Sequence, residues 1–448
     1  MTTGAPREVP DPGPYPSIVL GDISDARTKD GVRVVAVRRS QVPLVHLRLQ
    51  VPLGDVGPRD GTALRLLGKM LLAGTGGRSG SEMAAAIQRI GASIDASADA
   101  DHLSLAASAP AGRLVEILEL LSEIVANPSF PRDQVVGERE RVAQEVLQEA
   151  SDPAAVATRA LWGELYPGHP YADPLPSAAS VRRTGRASLV RFHTERVRPA
   201  GSSLVVVGDV DPDVAVGTAD GALGGWPCGS GAVAPALGRP RPPGRRSGIL
   251  VVHRPGAVQS NIRIGARCGG RHDSAFPALM LAMTAFGGSF SSRLVANLRE
   301  RNGYTYSPRA GIDERRLAAA ATVRAEVSTD VTAKALTEVR YELARMATAG
   351  ITPEELETSR RYVTGVVAMA AASQAALAGM LADLVSNDLD PSYLEVFARE
   401  LAELDTEPVT KAAARSLAPV GMTTVVVGDA DVVVDPLSTL DHVKVVGR

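Results

Sequence analysis

The chain has 448 residues, 45% of them hydrophobic and 22% charged, with a formal net charge of −2. That length is too great for one ordinary core and predicts two domains of about 200 residues each. The charge balance gives no electrostatic basis for binding nucleic acid or an anionic membrane. The 2 cysteines, Cys228 and Cys268, form no CxxC motif and no disulfide framework.

The N-terminal stretch MTTGAPREVPDPGPYPSIVLGD is Pro-rich and lacks a basic region followed by an apolar one. It does not read as a signal peptide, and with the cysteine usage it sets a cytoplasmic location as the expectation. Short strands are predicted at 31–37 (GVRVVAV), 45–51 (VHLRLQV), 102–108 (HLSLAAS) and 202–209 (SSLVVVGD), each ending in turn residues. In the second of these, Val45, Leu47, Leu49 and Val51 share one face, while His46, Arg48 and Gln50 share the other and are expected to meet solvent. Helical periods occupy 62–73, 82–90, 112–126 and 133–149. His169, in YPGHPY, is flanked by prolines and is expected to make a structural hydrogen bond. Further on, Tyr362 to Leu381 holds no charge, but its Ala, Gly and Ser content and its interior Gln374 predict a buried helix rather than a membrane span.

Three stretches recur in the same order at a nearly constant shift. LVVVGDVDP (204–212) returns as TVVVGDADV (424–432). The stretch 71–99 is matched by 284–312, and FPRDQVVGERERVAQEV (130–146) is answered by ITPEELETSRRYVTGVV (351–367). Between the copies lies a Pro-, Gly- and Arg-rich segment without periodicity, stiffened by Pro240, Pro242 and Pro243. The organisation is therefore a first domain over 1–228, a linker over 229–247 and a second domain over 248–448. Alternating strands with grouped helices predict α+β domains, two in tandem, each an antiparallel sheet covered by helices on one face.

The stretch GTALRLLGKMLLAGT (61–75) poses the functional question, because Arg65 and Lys69 stand at i and i+4 on a helix otherwise built of Ala, Leu and Met. Together with ERERVAQEVLQEASDP (138–153), YPGHPYADP (166–174) and FGGSFSSRLVANLRERNGYTYS (286–307), it resembles the pitrilysin/insulinase family of zinc peptidases, the inverzincins. The resemblance runs over roughly residues 30–430, and it is to the small two-domain form, similar to the alpha-type subunits of the mitochondrial processing peptidase. In that family a helix bearing H-x-x-E-H supplies two zinc ligands and a general base, and a downstream glutamate supplies the third ligand.

Aligning on Met70 and Gly74-Thr75 puts Arg65 and Lys69 at the histidine positions, Gly68 at the base and Glu145 at the third ligand. Sliding the alignment by one residue brings Leu64, Leu67 and Gly68 into the three roles instead. On either alignment the zinc site is degenerate, since guanidinium and ammonium groups have no lone pair for a metal. No metal, no cofactor and no peptide hydrolysis are expected of this chain alone. At the repeat shift, Arg65, Lys69 and Glu145 fall on Ala278, Ala282 and Val366, so the fold does not demand charge there. A carboxylate retained and buried at 145 needs a counter-charge, which predicts that Lys69 or Arg65 pairs with it.

In two-chain members of the family, an Arg and a Tyr seven residues apart after a Gly-rich turn grip the substrate. Arg299 and Tyr306 have that spacing behind Gly287 and Gly288. The resemblance thus implies a non-catalytic, substrate-binding subunit of a heterodimeric zinc metallopeptidase. Its partner is a homologous catalytic chain with H-x-x-E-H that carries the zinc, and its substrate is a peptide such as a leader sequence. The alternatives are a structural core protein of the same fold and a homodimeric peptide-binding protein without hydrolysis.

Overall fold

The computed structural model describes residues 13–57, 60–226, 235–242, 244 and 248–447. Cys228, Pro243 and most of the 229–247 linker lie outside the described residues. Twelve strands build two sheets. In the first half they are β1 (Ile23–Arg27), β2 (Arg33–Arg38), β3 (Leu44–Pro52), β4 (Ser93–Ala98), β5 (His102–Pro110) and β6 (Ser203–Gly208). In the second they are β7 (Ile249–His253), β8 (Gln259–Cys268), β9 (Arg309–Arg315), β10 (Ala318–Ser328), β11 (Thr423–Gly428) and β12 (Val443–Val446).

The spatial orders are β1-β2-β6-β3-β5-β4 and β12-β7-β11-β8-β10-β9. Five strands of each sheet therefore follow one plan, which is the duplication read in the sequence. Only the outermost strand differs: β1 comes from the start of the first half, β12 from the end of the second. The result is two tandem α+β domains. Their sheets are mainly antiparallel, but β2 pairs with β6, β7 with β11 and β12 with β7 in parallel. Parallel neighbours need a long crossover, and here the whole helical part of each half provides it.

The repeated VVVGD motif has a packing reason. A Cβ on Gly208 would collide with the Leu44 carbonyl, and one on Gly428 would lie 2.7 Å from Ser260 Oγ. The glycine in each copy lets β6 and β11 end tightly against β3 and β8.

The second face of each sheet is not open, and the helix that covers it comes from the other half. In β2 and β6, Val34, Ala36, Leu204 and Val206 face the first half's own core. Val35, Val37, Val205 and Val207 face Leu377, Leu381, Leu384 and Val385 of helix Gln374–Ser386, from the second half. Reciprocally, Leu161, Trp162 and Leu165 of helix Pro153–Leu165 pack on Ala320 and Val425 of the second sheet, joined by Leu237 from the linker. This is why β6 is buried at every position. It also explains why the alternate face of β3 is not simply wet: Arg48 Nη2 reaches the Ala375 carbonyl at 3.3 Å, and burial, then Arg48, pushes the His46 imidazole below its usual range.

The charge-free stretch 362–381 is two helices, Pro353–Ala372 and Gln374–Ser386, bent by 108°. Ser373 makes the break, its side chain accepting from the Ala376 amide. A second stretch, Phe276–Arg301, is long and apolar enough to cross a membrane by length and composition, yet most of it is buried among core residues.

Candidate functional site

Helix Gly61–Met70 buries Ala63, Leu66, Leu67 and Met70 against the first core, leaving Arg65 and Lys69 on the opposite side. That side faces helix Arg132–Ser151, where Glu138, Glu145 and Glu149 repeat at near-helical spacing on one face. Lys69 Nζ lies 2.7 Å from both Glu145 carboxylate oxygens and 3.8 Å from Glu138 Oε1. Arg65 does not pair with Glu145. Its Nη1 donates to Glu149 Oε1 at 2.9 Å and its Nη2 lies 3.6 Å from Asp173 Oδ1. Arg159 takes the other Glu149 oxygen at 2.9 Å, and Arg141 sits 3.1 Å from Glu138.

The acid buried in this set is Glu138, whose side chain is 10% exposed; Glu145 is 40% exposed and Lys69 38%. Sequence reasoning expected a buried Glu145 held by a single cation. The observed cluster instead distributes three glutamates and Asp173 over four cations; the Lys69–Glu145 pair is of the screened, half-exposed kind, whereas the Arg65 and Arg159 pairs with Glu149 are less exposed and Glu138 is buried.

Gly68, at the position of the base, has no room for any side chain. A Cβ there would lie 2.9 Å from the Ser97 Cα and carbonyl carbon of β4. The helix is seated directly on the strand backbone. These residues do not fit a zinc ion: two of the three ligand positions carry protonated nitrogen, the carboxylate at the third is bonded to Lys69, and the base position is closed. Elsewhere, His253, Asp429 and Asp431 cluster within 4.8 Å. Their acceptors serve the backbone, though: His253 Nδ1 takes the Ala430 amide, and Asp429 takes those of Gly256 and Asp431. This is the capped start of helix Ala430–Ser438.

In the second half, helix Phe276–Met283 widens into a π-helical turn, Thr284–Gly288, that ends at Gly287 and Gly288. A Cβ on Gly287 would lie 2.7 Å from Ala310 Cβ, so the turn packs flat on β9. A second π-helical turn, Ala296–Arg301, carries Arg299; such widened turns concentrate at functional sites. The Arg299 guanidinium stands 4.7 Å from the Tyr306 ring centroid and 4.9 Å from that of Phe290, with Nε 3.2 Å from Glu300. The two rings are 80% and 71% exposed. A cation held between two water-facing aromatic rings belongs to the protein surface and not to the core. The sequence pointed to Arg299, Tyr306 and both glycines but not to Phe290, which the structure adds to this surface. Its one signal was an aromatic two residues beyond the Gly-Gly turn.

His169 is structural: its Nδ1 accepts from the Tyr171 amide and its Nε2 lies 2.8 Å from the Gly238 carbonyl of the linker. His193 is likewise tied to the Val125 carbonyl at 2.8 Å, and burial pushes its imidazole below the usual range.

A sequence model of the insulinase family (peptidase family M16) matches residues 33–178, and one of the peptidase M16 inactive domain matches 185–363. An uncharacterised zinc protease of Mycobacterium tuberculosis is 30% identical over 287 residues, 63% of this chain and 65% of that relative. The match thus spans just under two thirds of the relative's length. Cytochrome b-c1 complex subunit 1 of Homo sapiens is 27% identical over 204 residues, 44% of this chain and 42% of that one. Mitochondrial-processing peptidase subunit alpha of Solanum tuberosum is 27% identical over 164 residues, 36% of this chain and 32% of that one. The crystal structure of a peptidase M16 inactive domain from Pseudomonas fluorescens superposes with a TM-score of 0.83 at 25% identity, covering 91% of this chain and 98% of that chain. The chain belongs to the insulinase (M16) family, as a two-domain member whose first half has lost the zinc-ligand set and whose second half is of the inactive-domain type.

Proposed function

We propose that this chain is the non-catalytic, peptide-binding subunit of a two-chain zinc peptidase, working with a homologous chain that bears H-x-x-E-H and holds the zinc. The single observation that carries the reading is the contrast within the molecule. The metal position is filled by the Lys69–Glu145 and Arg65–Glu149 pairs, while Arg299 stays presented between the exposed rings of Phe290 and Tyr306. In this reading Arg299 donates to a substrate carbonyl and the Tyr306 hydroxyl supports developing negative charge. The flat Gly287-Gly288 turn lets the peptide backbone approach, and an edge strand, β4 or β9, takes the peptide by strand addition. Leader peptides and short peptide fragments are the substrates in view.

The test is cleavage of a fluorogenic peptide by this chain alone, by a metal-loaded H-x-x-E-H homologue encoded beside it, and by the mixture. The reading expects cleavage in the mixture well above either chain, falling at least about tenfold in Arg299→Ala, a loss typical of a transition-state hydrogen bond. A structural-core role is favoured by the likeness to cytochrome b-c1 complex subunit 1. It predicts no gain on mixing.

A further inference from the structure

The second half contains a half-open cavity of about 380 Å³, lined by helices Phe276–Met283, Pro353–Ala372, Gln374–Ser386 and Tyr393–Glu403 and by β9. The volume lies in the range of small-molecule sites. Its walls are apolar and adaptable, with Phe276, Phe397, Met280, Met283 and Met380 among them. Five side chains with polar atoms interrupt this lining, Arg271, Thr284, Tyr362, Asp383 and Tyr393, of which the Thr284 hydroxyl is already bonded to the Met280 carbonyl.

Their states differ. The Arg271 charge is already matched, with Nη1 2.9 Å from Glu314 Oε2 and the backbone amide 2.8 Å from Glu314 Oε1. Asp383 has no ion pair among the described residues; the Arg271 and His102 charges act on it from further off, its carboxylate takes a hydrogen bond from Gln50, and Asp99 adds negative charge nearby. The Tyr393 hydroxyl is fully buried and has no hydrogen-bond partner among the described residues, while its ring stacks on Phe397 at 5.8 Å. An orphaned buried hydroxyl costs free energy and points to a missing partner. Burial pushes the Asp383 and Glu314 carboxyls above their usual range, and the Arg271 charge beside both only partly offsets it.

We propose that this cavity binds a small hydrophobic amine, its apolar body on the Met and Phe walls and its ammonium between the Asp383 carboxylate and the Tyr393 hydroxyl. An anionic head is disfavoured because the one cation present is neutralised by Glu314. A neutral head satisfies Tyr393 but leaves Asp383 without a direct ion-pair partner. The aromatic rings of Tyr393 and Tyr362 in the lining favour a cation as well. The site is complete within this chain and does not depend on the partner proposed above.

Titration calorimetry of the full chain with three probes sharing one body separates the possibilities: 4-phenylbutylamine, 4-phenylbutan-1-ol and 4-phenylbutanoate. The expected order is amine tightest, alcohol at least about tenfold weaker and carboxylate weakest, the margin of one charge-assisted hydrogen bond. Asp383→Asn is expected to lower amine affinity to the level of the alcohol and leave the alcohol unchanged. Met280→Trp, which fills the cavity, is expected to abolish binding of both, with folding of each variant checked by circular dichroism. The proposal is overturned if the carboxylate binds as tightly as the amine, if Asp383→Asn leaves amine binding unaltered, or if none of the three binds the folded wild-type chain.

Discussion

The two halves share five strands in one order and the same pair of helices over the sheet, yet they fill the space between those helices in opposite ways. In the first half, helix Arg132–Ser151 lines that space with Glu138, Glu145 and Glu149, which meet Lys69 and Arg65. In the second, helix Pro353–Ala372 lines it with Val363, Val366 and Val367, which border the apolar cavity. The pattern Val135, Glu138, Val142, Val146 on the first helix is answered by Leu356, Ser359, Val363, Val367 on the second. One scaffold thus tolerates either a charge cluster or an apolar cavity at this place. Charge in the first half is therefore not required by folding. It stands at the positions that the sequence alignment on Met70 and Gly74-Thr75 assigns to the metal ligands, whereas the second half has Ala278, Ala282 and Val366 there.

The largest effects are expected where the halves depend on each other. Leu381→Ala, in the helix lent to the first sheet, and Leu165→Ala, in the helix lent to the second, each remove a fully buried side chain. Each is expected to lower stability by about 2–5 kcal/mol in chemical denaturation. Similar losses, in one cooperative transition, support the reciprocal exchange; a second, separate transition in either variant breaks it.

Next comes a clamp at the start of the long helix. In the second half Arg293 donates to both Glu355 oxygens at 2.6 Å and to the Gly350 carbonyl at 2.7 Å. In the first half Arg186 does comparable work with carbonyls alone, those of Ser129 and Phe130. Burial acts to raise the Glu355 carboxyl, but the hydrogen bonds from Arg293 and from the Thr352 amide outweigh it and hold it below the usual range. A lowered folded value means the stabilisation is present at neutral pH and is lost as pH falls from about 4.5 through that lower value. Glu355→Gln is expected to cost roughly 3 kcal/mol at pH 7, the low end for a broken buried pair because Glu355 is 28% exposed. The variant should also show a weaker decline in stability on acidification. Equal acid sensitivity of variant and wild type contradicts the assignment.

A smaller effect is expected at Gly68. Gly68→Ala forces the helix away from the β4 backbone and is expected to cost roughly 1–3 kcal/mol. Rebuilding H-x-x-E-H across residues 65–69 should consequently destabilise the chain rather than restore a metal site, as thermal unfolding with and without zinc will show. Smallest of all is Lys69→Met. Lys69 and Glu145 are both more than a third exposed, so the loss is expected to stay under about 1 kcal/mol. A loss of several kcal/mol would mean that the cluster, and not the apolar packing, holds the two helices together.

Much of this was legible in the sequence because the signals are local. The strict alternation of Val45, Leu47, Leu49 and Val51 gives β3, and the VVVGD repeat gives both central strands with their obligatory glycines. The edge strands β1 and β4 were not legible: ISDAR and SIDASA bury too little to carry an apolar period. Nor was the exchange of helices, since an apolar face on Pro153–Leu165 does not say which sheet it meets. His46 shows the consequence, reading as a wet-face residue until the other half's helix is laid over it. At the site, the sequence singled out Glu145 alone; Glu138 and Glu149 join it on the same helix face in the structure. Which glutamate meets Arg65 depends on how the two helices cross, and Asp173 and Arg159 arrive from a turn and a neighbouring helix without local signal.

The central claim, that the first half's metal position is closed by its own ion pairs, is tested most directly by zinc binding. The purified chain would be titrated with zinc against a chromophoric chelator of micromolar affinity, in parallel with Glu145→Gln. The account predicts that wild type and variant compete equally poorly, any weak uptake being indifferent to Glu145. One zinc per chain bound more tightly than the chelator, and lost in Glu145→Gln, would contradict it.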